Sequence, residues 1–360
     1  MEPTEASRRD FLKRSLFLGT SFFLLAVPAH PLQKNPKIQE KTKAEETKGW
    51  IPAYEKLEKA GILGKRVEMA YAIFESCELC PRRCGVNRKK GERGFCQGRY
   101  KAMVYSAHPH YGEEESLVGR GGSGTIFFSN CNLRCVFCQN WQISQEGRGQ
   151  EVSDEQVAQM MLKLQKHGCH NINLVTPTHV MPNILKATQI ASQNGLRLPL
   201  VYNTSGYERM EILKILDGIV DIYMPDLKYM DGDLAAKYSS GAQDYPEVTQ
   251  KAIIEMHRQV GELLIDRRGI ALRGLIIRHL VMPNRVAGTE KFVKWVAEKL
   301  TKSTYVNIMA QYHPEYKAFE YPEIARRITR EEFLEAMEAA KRYGLTNLDP
   351  HSLRNRDRLL

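Results

Sequence analysis

Three cysteines, Cys131, Cys135 and Cys138, stand at C-x3-C-x2-C spacing inside "GTIFFSNCNLRCVFCQNWQIS", Gly124 to Ser144. Four more, Cys77, Cys80, Cys84 and Cys96, follow the pattern C-x2-C-x3-C-x11-C. Thiolates at gaps of two and three residues can face one inorganic centre, so both clusters read as metal ligation. Structural zinc and ordinary iron–sulfur clusters take four protein ligands. The upstream set supplies four; the downstream set supplies three. Three thiolates can hold three irons of a [4Fe–4S] cluster and leave the fourth iron open to a small molecule, much as catalytic zinc keeps an open position. A zinc or structural cluster completed by a remote fourth ligand is the alternative. For the four-cysteine set, zinc and an iron–sulfur cluster suit the soft donors equally, and its short polar loop needs a metal to fold.

The elements that must position these thiols show in the pattern from Gly124 onward. Strand-like runs are "TIFFSN", "NINLV" (171–175), "LPLVYN" (198–203), "GIVDIYM" (218–224), "RGLIIRHLV" (273–281) and "TYVNIM" (304–309). Helix-like segments lie between them, at Ser153–His167 with Ser153 as N-cap and Glu155 in the first turn, and near 183–194, 207–216, 246–266, 289–301 and 330–343. Repeated strand–helix units predict an α/β fold with a parallel sheet, and six units predict a partial (β/α)6 TIM-like barrel. Such barrels carry their chemistry on the loops after the strands, and Cys131 comes straight after the first strand. The expected organisation is a cysteine-rich N-terminal module with a helix at 51–120, the barrel at 121–348 and a tail at 349–360.

Upstream, "SRRDFLKRSLFLGTSFFLLAVPA" carries Arg8 and Arg9, then an apolar stretch of about a dozen residues closed by Ala29. Residues 1–29 read as a twin-arginine-type signal; the stretch is short for a spanning helix, which needs roughly 20 residues, and an uncleaved membrane tether is the alternative. Residues 30–50 are rich in Lys, Glu and Gln and read as a linker. The chain has 360 residues, 42% of them hydrophobic, and a formal net charge of +10, of which removing residues 1–29 takes away one. The charge alone permits nucleic acid, an anionic membrane or an acidic partner. Without a dense Lys/Arg block or a nucleic-acid motif, a soluble basic enzyme is the simpler reading, and no nucleic acid is expected. Seven of the eight cysteines fall in the two tight clusters, which argues against disulfides; the eighth, Cys169, reads as a buried thiol.

With an aromatic, Phe137, just before its third cysteine, "CNLRCVFC" resembles the radical S-adenosylmethionine (radical SAM) superfamily. "CELCPRRCGVNRKKGERGFC", "NINLVTPTH", "MPDLKY", "IIRHLVMPN" and "YVNIMAQYHP" extend the resemblance to PflX-type homologues of pyruvate formate-lyase activating enzymes, over roughly Tyr71 to Leu348. The resemblance implies that S-adenosylmethionine chelates the open iron of a [4Fe–4S] cluster. One electron cleaves its sulfonium, and the 5′-deoxyadenosyl radical abstracts hydrogen from a substrate, with a protein glycyl residue as one candidate. It also implies a low-potential donor such as flavodoxin or ferredoxin, and it favours a second [4Fe–4S] over zinc at the four-cysteine set. A non-catalytic electron-transfer protein on the same fold is the rival. Cofactor and reductant belong inside the cell, so the signal implies cytoplasmic loading followed by export or tethering.

Carried onto this chain, the resemblance makes Phe137, Asn203, Ser205, Asp226, Lys228 and Arg278 the expected cofactor-binding residues. Lys228 would meet the methionine carboxylate or a ribose hydroxyl, and Asn203 and Ser205 the ribose. Arg278 and His279 share the fifth strand, and one of them is expected to line the interior. Where activating enzymes carry Gly-Gly-Glu after the second strand, this chain reads "LVTPTH", with Thr176 and Thr178 in place of glycines and carboxylate. "HPHYGEEESLVGRGGSG" lacks the Lys-Ser/Thr of a phosphate loop and reads as a bridging loop, with Glu113–Glu115 solvated. Gln311 and His313 end the sixth strand and are candidates to face a substrate.

Overall fold

The computed structural model describes residues 49–359. The twin-arginine-type segment and nearly all of the linker lie outside them.

Two helices open the described chain, α1 (Ala53–Lys59) and α2 (Leu63–Ala72). The expected single helix is broken because Gly61 adopts φ +69°, a left-handed turn that glycine makes without steric cost. The four-cysteine loop follows, and then β1 (Ala102–His110), α3 (Glu115–Val118) and β2 (Ser123–Phe128). After the three-cysteine loop come α4 (Trp141–Ser144), β3 (Gln150–Val152) and α5 (Asp154–Lys166). The remaining elements are β4 (Ile172–Val175), α6 (Met181–Gln193), β5 (Leu200–Thr204), α7 (Met210–Leu216), β6 (Ile222–Pro225), α8 (Gly232–Tyr238) and α9 (Tyr245–Val260). They continue with β7 (Leu264–Ile265), β8 (Ala271–Leu280), α10 (Thr289–Lys299), β9 (Tyr305–Met309), α11 (Arg330–Tyr343) and α12 (Pro350–Leu359).

All six expected strands form, as β2, β4, β5, β6, β8 and β9. Each pairs in parallel with the next in chain order. Their residues alternate between two apolar layers. Val201, Ile222, Met224 and Ile276 join one buried cluster with Leu117, Ala271 and Tyr305. Leu200, Tyr202, Tyr223, Leu275 and Ile277 join the larger cluster that includes the helices. Burial on both faces is why these strands read as continuous apolar runs; each fully buried Val, Leu or Ile side chain stabilises by about 1.5–3 kcal/mol. Tyr54, Leu63 and Phe74 belong to the same larger cluster, so the N-terminal helices share the core of the sheet.

Three strands were not expected. β1 runs antiparallel to β2 and carries β3 on its other side, while β7 is a short antiparallel partner of β8. Helix α5 has Ser153 as its N-cap and Glu155 in its first turn, as expected, and Gln156 completes a capping box with Ser153. The stretch expected to be helical near 246–266 stops at Gly261, φ +70°. Within 349–360, expected to be a tail, Pro350–Leu359 form α12, which packs against β9: the Ser352 hydroxyl accepts from Ile308 N–H at 2.9 Å. Among the described residues no helix is long and apolar enough to cross a membrane.

At the N-terminal end of the sheet, the buried Asp221 carboxylate accepts from Ala53 N–H at 2.8 Å and Leu200 N–H at 2.9 Å. It docks α1 onto β5 and β6. Burial pushes this carboxyl up to about 7, against the pull of the two amides. Between the unfolded value of about 3.9 and that point, the folded chain binds a proton that the unfolded chain does not, so stability falls as pH rises through the window. Asp221→Asn cannot titrate. Comparing urea midpoints at pH 5 and pH 8, the wild-type drop should exceed the variant's by roughly 1–3 kcal/mol, at about 1.4 kcal/mol per tenfold change in proton affinity. Equal drops would refute the assignment.

Candidate active site

The three-cysteine loop leaves the C-terminal end of β2. Asn130 (φ +75°) and Arg134 (φ +54°) turn the backbone in the left-handed region, which asparagine tolerates better than most residues. The loop is held from several sides. Leu133 N–H points at Cys131 Sγ (3.3 Å), the Ser239 hydroxyl donates to Cys135 Sγ (3.0 Å), and Cys138 Sγ lies 3.1 Å from Ser144 Oγ. Val136 N–H bonds the Tyr238 carbonyl. Phe137 is buried edge-on against Tyr229 and Tyr312. Burial pushes the Cys135 thiol up to about 12, with nearby Lys228 opposing, and burial also raises Cys131.

These three thiols line a cavity of ≈ 620 Å³ at the C-terminal ends of the strands, within the roughly 300–1,000 Å³ range of small-molecule sites. The same cavity is lined by Phe137, Asn203, Ser205, Asp226, Lys228 and Arg278, so all six side chains expected from the resemblance meet at one place. Lys228 Nζ bonds Asp226 Oδ2 at 2.6 Å. Burial disfavours its ammonium, but Asp226, together with Cys135 and Tyr245, outweighs burial and keeps Lys228 charged. Gln311 lines the cavity, and Gln139 Nε2 reaches His313 Nδ1 at 3.2 Å. Of the adjacent pair on β8, Arg278 faces the cavity. His279 is buried behind it, bonded to the Leu227 carbonyl (2.7 Å) and Thr289 (2.9 Å) and stacked on Phe292.

Several site residues gave no signal in the sequence. The Tyr245 hydroxyl, at the start of α9, contacts the Ser205 carbonyl (2.8 Å) and the Asp226 carbonyl (2.9 Å) and accepts from Lys228 N–H (3.0 Å). One phenol thus sets the ends of β5 and β6 relative to each other. Outside the cavity lining, buried Glu208 accepts from the Thr178 and Thr204 hydroxyls, each at 2.5 Å. Burial pushes Glu208 up to about 7. Thr176, which lines the cavity, holds φ +60°, strained for a β-branched residue, and its N–H bonds the Asn203 carbonyl at 2.9 Å.

Of the Glu113–Glu115 run, only Glu115 is solvated. Glu113 and Glu114 are buried and line the cavity. Arg278 is why: its Nε donates to Glu114 Oε1 (2.7 Å) and its Nη2 reaches both Glu113 and Glu114. Asn307 Nδ2 adds a bond to Glu114 (2.8 Å), and His110 Nδ1 meets Glu113 Oε1 at 3.1 Å. Burial alone would raise the Glu113 carboxyl; Arg278 and His110 outweigh it and hold it at about 2. From α12, His351 and Asn355 complete this wall.

The four-cysteine loop lies outside the cavity lining. Burial, then the neighbouring Cys96, Cys77 and Cys84, push the Cys80 thiol up to about 12. Backbone N–H groups point at the sulfurs, Phe95 to Cys84 (3.3 Å) and Gly98 to Cys96 (3.4 Å). Gly94 is required here, since a Cβ would stand 2.7 Å from Cys84 Sγ. Among the described residues, no three His, Cys, Asp or Glu side chains close on one point as a lone metal ion would need. Cys169 is buried, as expected.

A family model described as "Radical SAM superfamily" matches residues 125–267. "Uncharacterized protein MJ0674" of Methanocaldococcus jannaschii is 38% identical over 297 residues, covering 80% of each chain. "Uncharacterized protein MJ0808" of the same organism is 26% identical over 289 residues, covering 72% of this chain and 78% of that one. Among solved structures, methylornithine synthase (PylB) is similar at a TM-score of 0.42 with 11% identity, over 87% of this chain and 81% of that one.

Proposed function

Because the chain belongs to the radical SAM superfamily, we propose that it is an enzyme. It reductively cleaves S-adenosylmethionine at a [4Fe–4S] cluster on Cys131, Cys135 and Cys138 and abstracts hydrogen from a substrate in the same cavity. The observation that carries the reading is the convergence of three thiols with Asn203, Ser205, Asp226, Lys228 and Arg278 on one cavity. The donor set fits such a cluster: three soft sulfurs and no fourth cysteine in the lining. When bound, the cluster supplies the electron that splits the sulfonium into methionine and the 5′-deoxyadenosyl radical.

The chain's own residues bind, orient and exclude water. The Lys228 ammonium, fixed by Asp226, meets the methionine carboxylate or a ribose hydroxyl. Asn203 and Ser205 offer hydrogen bonds to the ribose; the Ser205 hydroxyl is buried with no protein partner among the described residues. Phe137, packed between Tyr229 and Tyr312, keeps water from the sulfurs. The parallel sheet is a partial (β/α)6 barrel of the PflX type, and the four-cysteine loop holds an auxiliary [4Fe–4S] cluster. A flavodoxin or ferredoxin supplies electrons, and a protein glycyl residue is a candidate hydrogen donor.

The test is anaerobic reconstitution of the protein with iron and sulfide, then dithionite and S-adenosylmethionine, with 5′-deoxyadenosine quantified by chromatography. Release over repeated turnovers supports the reading. A cluster that assembles but neither releases 5′-deoxyadenosine nor changes its electron paramagnetic resonance (EPR) spectrum on adding S-adenosylmethionine would point to an electron-transfer protein instead.

A further inference from the structure

Two arginines of the four-cysteine loop reach out of it to the backbone around the three-cysteine loop. Arg82 lies between Cys80 and Cys84. Its guanidinium stacks on Phe95, 4.0 Å from the ring centroid, and donates three hydrogen bonds to backbone carbonyls. Nε reaches Asn132 at 3.1 Å, Nη1 reaches Ser240 at 2.8 Å and Nη2 reaches Ser239 at 3.1 Å. Asn132 is the residue after Cys131, and its side chain is fixed on the Tyr207 carbonyl (3.0 Å). Ser239 is the residue whose hydroxyl donates to Cys135 Sγ. The Ser240 hydroxyl bonds the Arg134 carbonyl, inside the same cysteine loop, at 3.1 Å. Buried Arg88, between Cys84 and Cys96, makes a second tie: Nη2 to Cys96 Sγ (3.5 Å) and Nη1 to the His179 carbonyl (2.6 Å). His179 Nε2 in turn bonds the Ser129 carbonyl, two residues before Cys131, at 2.7 Å.

Three carbonyls in one planar fork are a demanding arrangement. A lysine reaches one at a time; the guanidinium reaches all three with fixed angles. Phe95 holds the other face of the fork, and its own N–H points at Cys84 Sγ. The path from an upstream sulfur to a downstream one is therefore short: Cys84, Phe95, Arg82, Ser239, Cys135. Hydrogen bonds and nearby charge at cluster sulfurs set reduction potentials, because they favour the more negative, reduced form.

We propose that Arg82 is a positioning residue for the three-cysteine loop, through which the four-cysteine module sets the hydrogen bonding, and so the reduction potential, of the cluster on Cys131, Cys135 and Cys138. The inference rests on the cluster proposed above, and adds that the two cysteine sets work as one unit. Removing the fork frees the Ser239 segment, weakens its bond to Cys135 and takes a positive charge away, so the potential moves to more negative values.

The experiment is an EPR-monitored redox titration of the full reconstituted chain, reading the signal that responds to S-adenosylmethionine. Arg82→Gln and Ser239→Ala are each expected to lower the midpoint, and the double variant to lower it less than the two shifts added, because they act on one path. Cys84→Ser should shift it in the same direction. A midpoint unchanged in both Arg82→Gln and Ser239→Ala, or fully additive shifts in the double variant, would overturn the proposal. If Arg82→Gln does not fold, Arg82→Lys is read in its place with the same expected direction. A wild-type chain that assembles no responsive cluster would instead sink the radical reading itself, so the two failures are separable.

Discussion

Cys135→Ala is expected to lower 5′-deoxyadenosine release to less than about one thousandth of wild type, because two thiolates cannot retain a cluster that three hold with one iron open. The chain should stay folded. The substitution leaves the Ser239 hydroxyl without its sulfur acceptor, a cost of about 1 kcal/mol for one hydrogen bond, and trims one small buried side chain. Unchanged far-ultraviolet circular dichroism would separate lost chemistry from lost fold. Iron analysis adds a second readout: the variant should lose about four irons per chain. Whatever iron or zinc remains reports what the four-cysteine loop holds. Substantial release from the variant would show that the chemistry does not depend on this triad.

Arg278→Ala is expected to cost about 3–5 kcal/mol of folding stability, the usual consequence of leaving buried charge uncompensated. That is a large part of the roughly 5–15 kcal/mol a domain has. The Arg278 side chain is 15% exposed, and those of Glu113 and Glu114 are 6% and 0% exposed, so water does little to offset the loss. The pH dependence carries a signature. In the wild type the depressed carboxyl of Glu113 contributes stability above its unfolded value of about 4.3, lost as pH falls towards 2. Without Arg278, burial dominates and the Glu113 carboxyl is better off protonated, so the variant's deficit should be larger at pH 8 than at pH 5. Glu113→Gln and Glu114→Gln added to Arg278→Met should recover much of the loss, since an uncharged wall of similar volume needs no counter-ion. Urea denaturation at the two pH values checks all of this; a pH-independent deficit would mean that Arg278 acts through packing alone.

The contrast between what the sequence disclosed and what it hid follows from range. The six parallel strands were legible because burial on both faces writes an uninterrupted apolar run. Cys131, Cys135 and Cys138 were legible because their spacing is local. Strand β1 hid behind a mixed stretch, "AMVYSAHPH", whose Pro109 and two histidines do not alternate cleanly. Glu113 and Glu114 looked solvated because their counter-ion, Arg278, stands 164 and more residues away. Helix α12, "PHSLRNRDRL", has too few apolar residues to announce a buried face; what it buries is Ser352 against β9, beneath a cavity wall of His351 and Asn355. Tyr245 and Glu208 act through single oxygen atoms on groups from other elements, which no periodicity encodes.

The order of the parallel strands also bears on how the protein is made. Because β2, β4, β5, β6, β8 and β9 neighbour one another in chain order, the sheet can grow one strand at a time during synthesis, without waiting for distant segments. All seven clustered cysteines leave the ribosome before Lys228, Tyr245 and Arg278 exist. The sulfurs of Cys131, Cys135 and Cys138 thus stand on the nascent chain while the cavity they will line is still open.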